Sequence, residues 1–185
     1  MADPIAAWHA EHVYFKQLLA LLHKQVDAFH TGERPNYELM FDIISYLKDY
    51  SDQFHHPRED VAFNRMAKRC PDIELVLARL AQEHRVIAHA GEILLKLLDE
   101  ILGGAIVQRA EAEVAAATYL VYYRNHIAKE EEEILSRAAQ VLTSEDWDAV
   151  RNAVPAANDP LFGERPEARY QELRRQIARE AHPGN

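Results

Sequence analysis

The chain has one cysteine in 185 residues. Cys70 therefore cannot form an intramolecular disulfide, and one thiol does not make a metal cluster, so a reducing, cytoplasmic setting is expected. Its plainest role is that of a small residue at a helix end. Positive charge is scarce too: 21 Lys and Arg stand against 30 Asp and Glu, a formal charge of -9. No basic field would draw such a chain to nucleic acid or anionic lipid. Long apolar runs are missing, the longest, Val114 to Tyr123, being about half of the roughly 20 residues a spanning helix needs, so no membrane association is expected. The start, Met1-Ala2-Asp3-Pro4, lacks the basic and apolar segments of a secretion signal, and no export is expected. Strand-type alternation and long internal repeats are absent as well. What remains is 48% hydrophobic, enough to bury one core and too short for two full domains.

What the sequence does have is helical periodicity. Ile5, Trp8, His12, Phe15, Leu19, Leu22, Val26 and Phe29 step by three and four, which predicts a first helix near 4–30, stopped at Thr31-Gly32 with Pro35 beyond. Met40, Ile44, Leu47, Ser51, His55, Glu59, Ala62 and Met66 predict a second over about 36–69, ending before Pro71 because the residue before proline disfavours helix. Ile73, Leu77, Leu80, His84, Ile87, Gly91, Leu94, Leu98 and Ile101 mark a third that runs to Gly103-Gly104. Ala115, Tyr119, Tyr122, His126, Glu130, Ile134, Ala138 and Val141 mark a fourth over about 105–142. Ser144, followed by Glu145 and Asp146, reads as the capped start of a short helix to about Ala153, closed by Pro155. Beyond it, Tyr170, Leu173 and Ile177 make a thin apolar stripe between Glu167 and Arg179, suited to docking on the bundle or on a partner. The expected architecture is all-α: an up-down-up-down four-helix bundle over 1–154, with a short C-terminal helical extension over 155–185.

Each predicted seam is interrupted by one histidine: His12, His55, His84 and His126. In an antiparallel pair, residues equally far from the shared turn lie at one height. His12 is 19 residues from Thr31, and His55 is 19 from Asn36. The other pairs differ by two and three residues, and at ~1.5 Å rise per residue the worst mismatch is roughly 4.5 Å. All four imidazoles are expected in one layer. Left alone there, each would need a buried partner, since an unsatisfied polar group costs on the order of 1–3 kcal/mol. Metal coordination satisfies them together. Glu59 follows His55 by four residues and Glu130 follows His126 by four, which places each pair on one helical face. Carboxylate oxygens beside imidazoles suit iron or manganese better than a structural zinc, which favours thiolates. His56 adds a fifth imidazole. Pro57 leaves the Gln53 carbonyl without its donor, which predicts a local kink that either aims His56 or is a bend the long helix tolerates.

Taken together, Ala10-Glu11-His12, the run His55-His56-Pro57-Arg58-Glu59-Asp60 with Phe63, Glu83-His84, and His126 through Glu130-Glu131 resemble the bacterial hemerythrin-like, or HHE cation-binding, family over about residues 3–150. The resemblance implies His12, His55, His56, His84 and His126 as terminal ligands and Glu59 and Glu130 as bridges. The cofactor it implies is two non-haem iron ions (Fe2+/Fe3+) sharing an oxo or hydroxo bridge. Of roughly twelve octahedral positions, such a set leaves about one open. The function implied is binding of O2, or of another small diatomic or peroxide ligand, for sensing, storage or delivery. A di-iron enzyme acting on peroxide or nitric oxide is the alternative. A further one is an iron- or oxygen-responsive regulatory module, with a homodimer or protein partner engaged through the extension.

The oxygen-carrier branch of that family has a second third-helix histidine four residues after the first. Ala88 holds that place here and His89 is one residue too far, so His56 would have to replace it. That branch also uses an acid five residues after the last-helix histidine, Glu131, where the spacing here favours Glu130. Tyr119 and Tyr122 are placed either to hydrogen-bond a metal-bound oxygen or to pack. Asp49 and Asp52 share a stripe with His56 and either could orient its free ring nitrogen. His9, His23, His30 and His182 are expected at the surface, as is Glu132.

Overall fold

The computed structural model describes residues 4–155 and 157–181. Its first rod, α1 (Pro4–His30), buries Trp8, His12, Phe15, Leu19, Leu22, Val26 and Phe29, the face its three-and-four spacing predicts. Gly32, at φ 76°, takes the left-handed conformation that ends it. Asn36 caps the second rod by accepting the Leu39 N–H at 3.0 Å. That rod is α2 (Tyr37–Tyr46), a π-helical stretch Leu47–His55, and α3 (His56–Arg69). The sequence predicts a kink at Pro57, and the chain takes a wider turn instead. The missing Pro57 N–H frees the ladder to slip, and the His56 N–H donates to the Ser51 carbonyl five residues back. The wide turn lets the adjacent His55 and His56 both face inward, where both are buried.

The third rod, α4 (Glu74–Leu102), follows a short 3₁₀ turn. The fourth comprises α5 (Arg109–Lys129), a second π-helical turn at Glu130–Ile134, and α6 (Leu135–Val141). It starts at Arg109 rather than near 105, because Gly104 takes φ 84° and Gln108 is extended. Ring contacts between the first two rods run in opposite order along the chain: Phe29 with Tyr37, Phe15 with Tyr46, His12 with His55. Between α4 and α5, Gly91 meets Tyr119 and His84 meets His126 in the same reversed order. Gly91 has a steric reason to be glycine, since a Cβ there would lie 3.1 Å from the Tyr119 ring.

The segment α7 (Ser144–Ala153) is capped by Thr143, one residue before the Ser144 that the sequence suggests. Thr143 Oγ1 accepts the Asp146 N–H at 3.4 Å, and the Asp146 carboxylate accepts the Thr143 N–H at 2.9 Å. Asp146 also receives Arg65 at 3.2 Å and Arg69 at 2.8 Å, which fastens α7 to α3. Burial opposes its ionisation, but the Thr143 donors and the two arginines hold its carboxyl at about 2. A depressed carboxyl stabilises the fold above its ordinary pKa of 3.8, and that contribution is lost as pH falls through about 2. Asp146→Ala is expected to lower the unfolding free energy by about 1–2 kcal/mol in urea titrations at pH 7. A midpoint equal to that of the parent would show that the box and its arginines contribute nothing.

The C-terminal stripe docks on the chain's own bundle. Tyr170 and Leu173, the expected anchors, are buried in the larger apolar cluster, as is Leu161. Ile177 is partly buried against them. Phe162 stacks on Tyr14 at 4.1 Å, Asp159 accepts the Tyr46 hydroxyl at 2.9 Å, and Arg169 reaches Asp49 at 2.8 Å. A second cluster around Trp8, Phe63, Met66, Leu77 and Ile134 fills the other end. Between the two clusters lies a layer of buried polar side chains. Among the described residues no helix is long and apolar enough to cross a membrane.

Candidate metal centre

The polar layer consists of His12, Ser51, His55, His56, Glu59, His84, His126 and Glu130, none more than 5% exposed. The structure thus brings together all seven donors expected from the sequence. His12 and His55 face each other with Nε2 atoms 3.0 Å apart. His84 lies 4.7 Å from the His126 ring and stacks on His56 at 4.2 Å.

The two glutamates divide their oxygens between these pairs. Glu59 Oε1 lies 3.1 Å from His55 Nε2 and 3.5 Å from His12 Nε2, while its Oε2 lies 3.5 Å from His84 Nε2. Glu130 Oε2 lies 3.5 Å from His12 Nε2, while its Oε1 lies 3.0 Å from His126 Nε2 and 3.6 Å from His84 Nε2. Each carboxylate therefore spans two imidazole pairs. Donor atoms of His12, His55 and Glu59 cluster within 4.8 Å of one another, and so do those of His56, Glu59, His84 and His126.

Five further carboxylates surround the imidazoles and turn them. Each Nδ1 is aimed outward: His12 at Glu131 (2.9 Å), His55 at Glu11 (2.7 Å), His56 at Asp52 (3.2 Å), His84 at Asp60 (2.8 Å) and His126 at Glu83 (3.2 Å). A ring that donates Nδ1–H outward presents a bare Nε2 inward, the tautomer a cation requires. Of the acids the sequence offers to His56, Asp52 takes the place and Asp49 instead pairs with Arg169. Glu130 enters the centre while Glu131 stands outside it.

Several inner atoms have no hydrogen-bond partner: Glu59 Oε2, both Glu130 oxygens, His84 Nε2 and His126 Nε2. At 3.0 Å, His126 Nε2 and Glu130 Oε1 are close without the alignment of a hydrogen bond. Buried polar atoms so placed are costly unless something else binds them. Cations at the two clusters would satisfy the Glu59 and imidazole atoms, and Glu130, which is in neither cluster, lies 3.0 Å from His126, 3.5 Å from His12 and 3.6 Å from His84, beside both, so the donor set fits.

The charge distribution fits as well. Seven carboxylates (Glu11, Asp52, Glu59, Asp60, Glu83, Glu130 and Glu131) surround the imidazoles, with Arg58 on Glu11, Arg79 on Glu83 and Lys16 on Glu131 as cationic neighbours. With all seven ionised the excess would be about four negative charges; burial raises Asp52 to about 7, so at neutral pH the excess is roughly three to four, close to what two divalent cations supply. In their place, protons serve. Burial opposes charge on His84, but Asp60, Glu130 and Glu59 push it up to about 11; His55, against the same opposition, is raised by Glu59 and Glu11 to about 9. Burial also opposes ionised Glu59, yet His55, His12 and His84 hold it well below the usual carboxylate range. His56 moves the other way, driven well down by burial and the neighbouring His84.

Of the tyrosines, Tyr122 is 47% exposed and Tyr119 packs on Gly91 and Tyr123. The hydroxyl at the layer is that of Tyr123, 2.5 Å from Ser51 Oγ. Sequence reasoning passed over Glu11, Asp60, Glu83 and Tyr123. For the acids a signal existed: each adjoins an inner donor on its own helix, about 100° round, and serves a histidine on the neighbouring helix. His9, His23, His30 and Glu132 are exposed as expected, and His182 lies outside the described residues. Cys70 is buried at the end of α3.

The family model described as the hemerythrin HHE cation binding domain matches residues 3–138. Comparison with curated proteins and with solved structures gives no match.

Proposed function

The chain belongs to the hemerythrin HHE cation-binding family, and from that premise we propose that it holds two non-haem irons and binds O2 or a related small molecule for sensing, storage or delivery. The observation that carries this reading is the division of Glu59 and Glu130 between the His12–His55 and His84–His126 pairs. A carboxylate that offers one oxygen to each of two imidazole pairs is shaped to bridge two cations. The set of imidazole and carboxylate donors, with no thiolate, suits iron. Bound iron supplies a reversible Fe(II)/Fe(III) couple and an open position for a small ligand.

The chain's own side chains do the rest. Glu11, Asp60, Glu83 and Glu131 hydrogen-bond four of the imidazoles with Nε2 inward, and Asp52 lies 3.2 Å from Nδ1 of the fifth, His56. Phe15, edge-on to His55 at 4.9 Å, and Phe63, stacked on His84 at 5.8 Å, keep water from the donors. The two halves are unequal, because His56 joins His84 and His126 while His12 and His55 have no third imidazole. A cation held by His12, His55 and Glu59 would have fewer protein donors, and that half is where a small ligand would find room.

Aerobically purified protein is expected to contain about two irons per chain and to absorb in the near ultraviolet through ligand-to-iron charge transfer. Reduction should bleach that band and O2 should restore it. Metal-free protein of unchanged fold, after growth with ample iron, would overturn the reading.

A further inference from the structure

Two fully buried hydroxyls adjoin the centre. Ser51 Oγ lies 3.3 Å from His56 Nε2, and Tyr123 Oη lies 2.5 Å from Ser51 Oγ. Both residues are 0% exposed, and the Tyr123 ring stands edge-on to His56 at 5.6 Å. Ser51 lies in the π-helical stretch that ends at His55, and its carbonyl accepts the His56 N–H. The wide turn thus positions the serine and the histidine together.

Counting protons gives the chain a direction. In the tautomer that a cation at Nε2 requires, with the proton on the Nδ1 that faces Asp52 at 3.2 Å, His56 Nε2 is a lone pair that can only accept. Ser51 must then donate to Nε2, and Tyr123 must donate to Ser51. Binding a cation would use the lone pair of His56 Nε2. Ser51 would lose its acceptor while its own oxygen still accepted from Tyr123, leaving one O–H free inside a layer closed to water. A buried donor of that kind favours an incoming acceptor, above all a negatively charged one.

We propose that Ser51, oriented by Tyr123, is the hydrogen-bond donor to the exogenous ligand of this centre. The inference rests on the function proposed above and adds two binding residues to it. The donor stands on the His56 side of the layer.

The test is an azide titration of iron-loaded protein, followed by its charge-transfer band and by the infrared stretch of bound azide, with iron content measured alongside. Ser51→Ala is expected to keep its iron, to bind azide about tenfold more weakly and to shift the azide stretch. Ser51→Thr should restore both. Tyr123→Phe should keep iron and shift the stretch by less, because the serine still donates. Unchanged azide affinity and stretch in iron-replete Ser51→Ala would overturn this inference and leave the di-iron reading standing. Iron loss in that variant would overturn it too, by showing that the hydroxyl serves the cation. Should Ser51→Ala fail to fold, an unshifted stretch in Tyr123→Phe decides against it. Parent protein that takes up no iron overturns the di-iron reading itself, and the ligand role of Ser51 with it.

Discussion

Glu59→Ala protein is expected to keep its helices and to hold well under one metal ion per chain, where the intact centre as proposed would hold about two. Glu59 has one oxygen within 3.5 Å of His12 and His55 and the other within 3.5 Å of His84. Its loss removes a donor from both halves at once. It also removes the largest influence raising His55, and a smaller one on His84, where Asp60 and Glu130 act before it, so the metal-free core can adjust by letting His55 lose its proton. For that reason the fold should survive better than the roughly 3–5 kcal/mol typical of a broken buried ion pair suggests. Loss of an outer carboxylate costs about 10–100-fold in metal affinity, and loss of a bridge should exceed that. Glu130→Ala should behave alike, since Glu130 divides its oxygens in the same way. Glu132→Ala, on an exposed position two residues on, is the control. Metal analysis and calorimetric titration distinguish these cases. Two tightly held ions in Glu59→Ala would remove the carboxylate from any bridging role.

The inner donors were legible because helices make position countable. Equal distances from a turn put His12 and His55 at one height, and a spacing of four joins His55 to Glu59 and His126 to Glu130. At Pro57 a disturbance of the helix was legible, but not that it would be a π-helix. The identity of the residue signals a missing donor, whereas the new partner, His56 N–H to the Ser51 carbonyl, depends on how the ladder slips. The outer carboxylates were hidden for a different reason. Glu11 reads as the neighbour of His12, yet it binds His55 and Arg58 across the helix interface. Choosing its partner requires the facing rotation of two helices, which periodicity on one helix does not supply. The same holds for Tyr123, which one seam position separates from the Tyr122 of the sequence pattern. The strap after residue 155 had a readable stripe with two open destinations. What decides between them is tertiary: Tyr46, Tyr14 and Asp49 on the bundle surface present partners for Asp159, Phe162 and Arg169.

Removing the metal is expected to reverse how the protein responds to rising pH. In the metal-free chain the folded pKa values of His55 and His84 are raised from 6.5 to about 9 and about 11. Raised imidazoles stabilise the fold fully below 6.5, and that contribution is lost as pH climbs through about 9 and then about 11. Metal-free protein should therefore melt progressively lower from neutral to alkaline pH. A cation at Nε2 requires neutral rings, so binding at pH 7 must expel the protons of His55 and His84 and any that His126, also raised against burial by Glu130 and Glu83, still carries, on the order of two or more per centre. Affinity for a divalent metal should then rise by about 100-fold per pH unit between pH 6.5 and 8.5, two protons giving two decades per unit. Calorimetry in buffers of different ionisation enthalpy counts the protons, and melting curves with and without metal give the opposing slopes. Acid works the other way on the loaded protein, because protons reclaim the imidazoles and release the ions. His56, already driven well below its ordinary range by burial and His84, gives up no proton at neutral pH, so His56→Ala should leave the proton count unchanged. A pH-independent affinity would mean that the layer is neutral before metal arrives. The carboxylates would then have to carry the protons, and the two-cation charge balance would have to be abandoned.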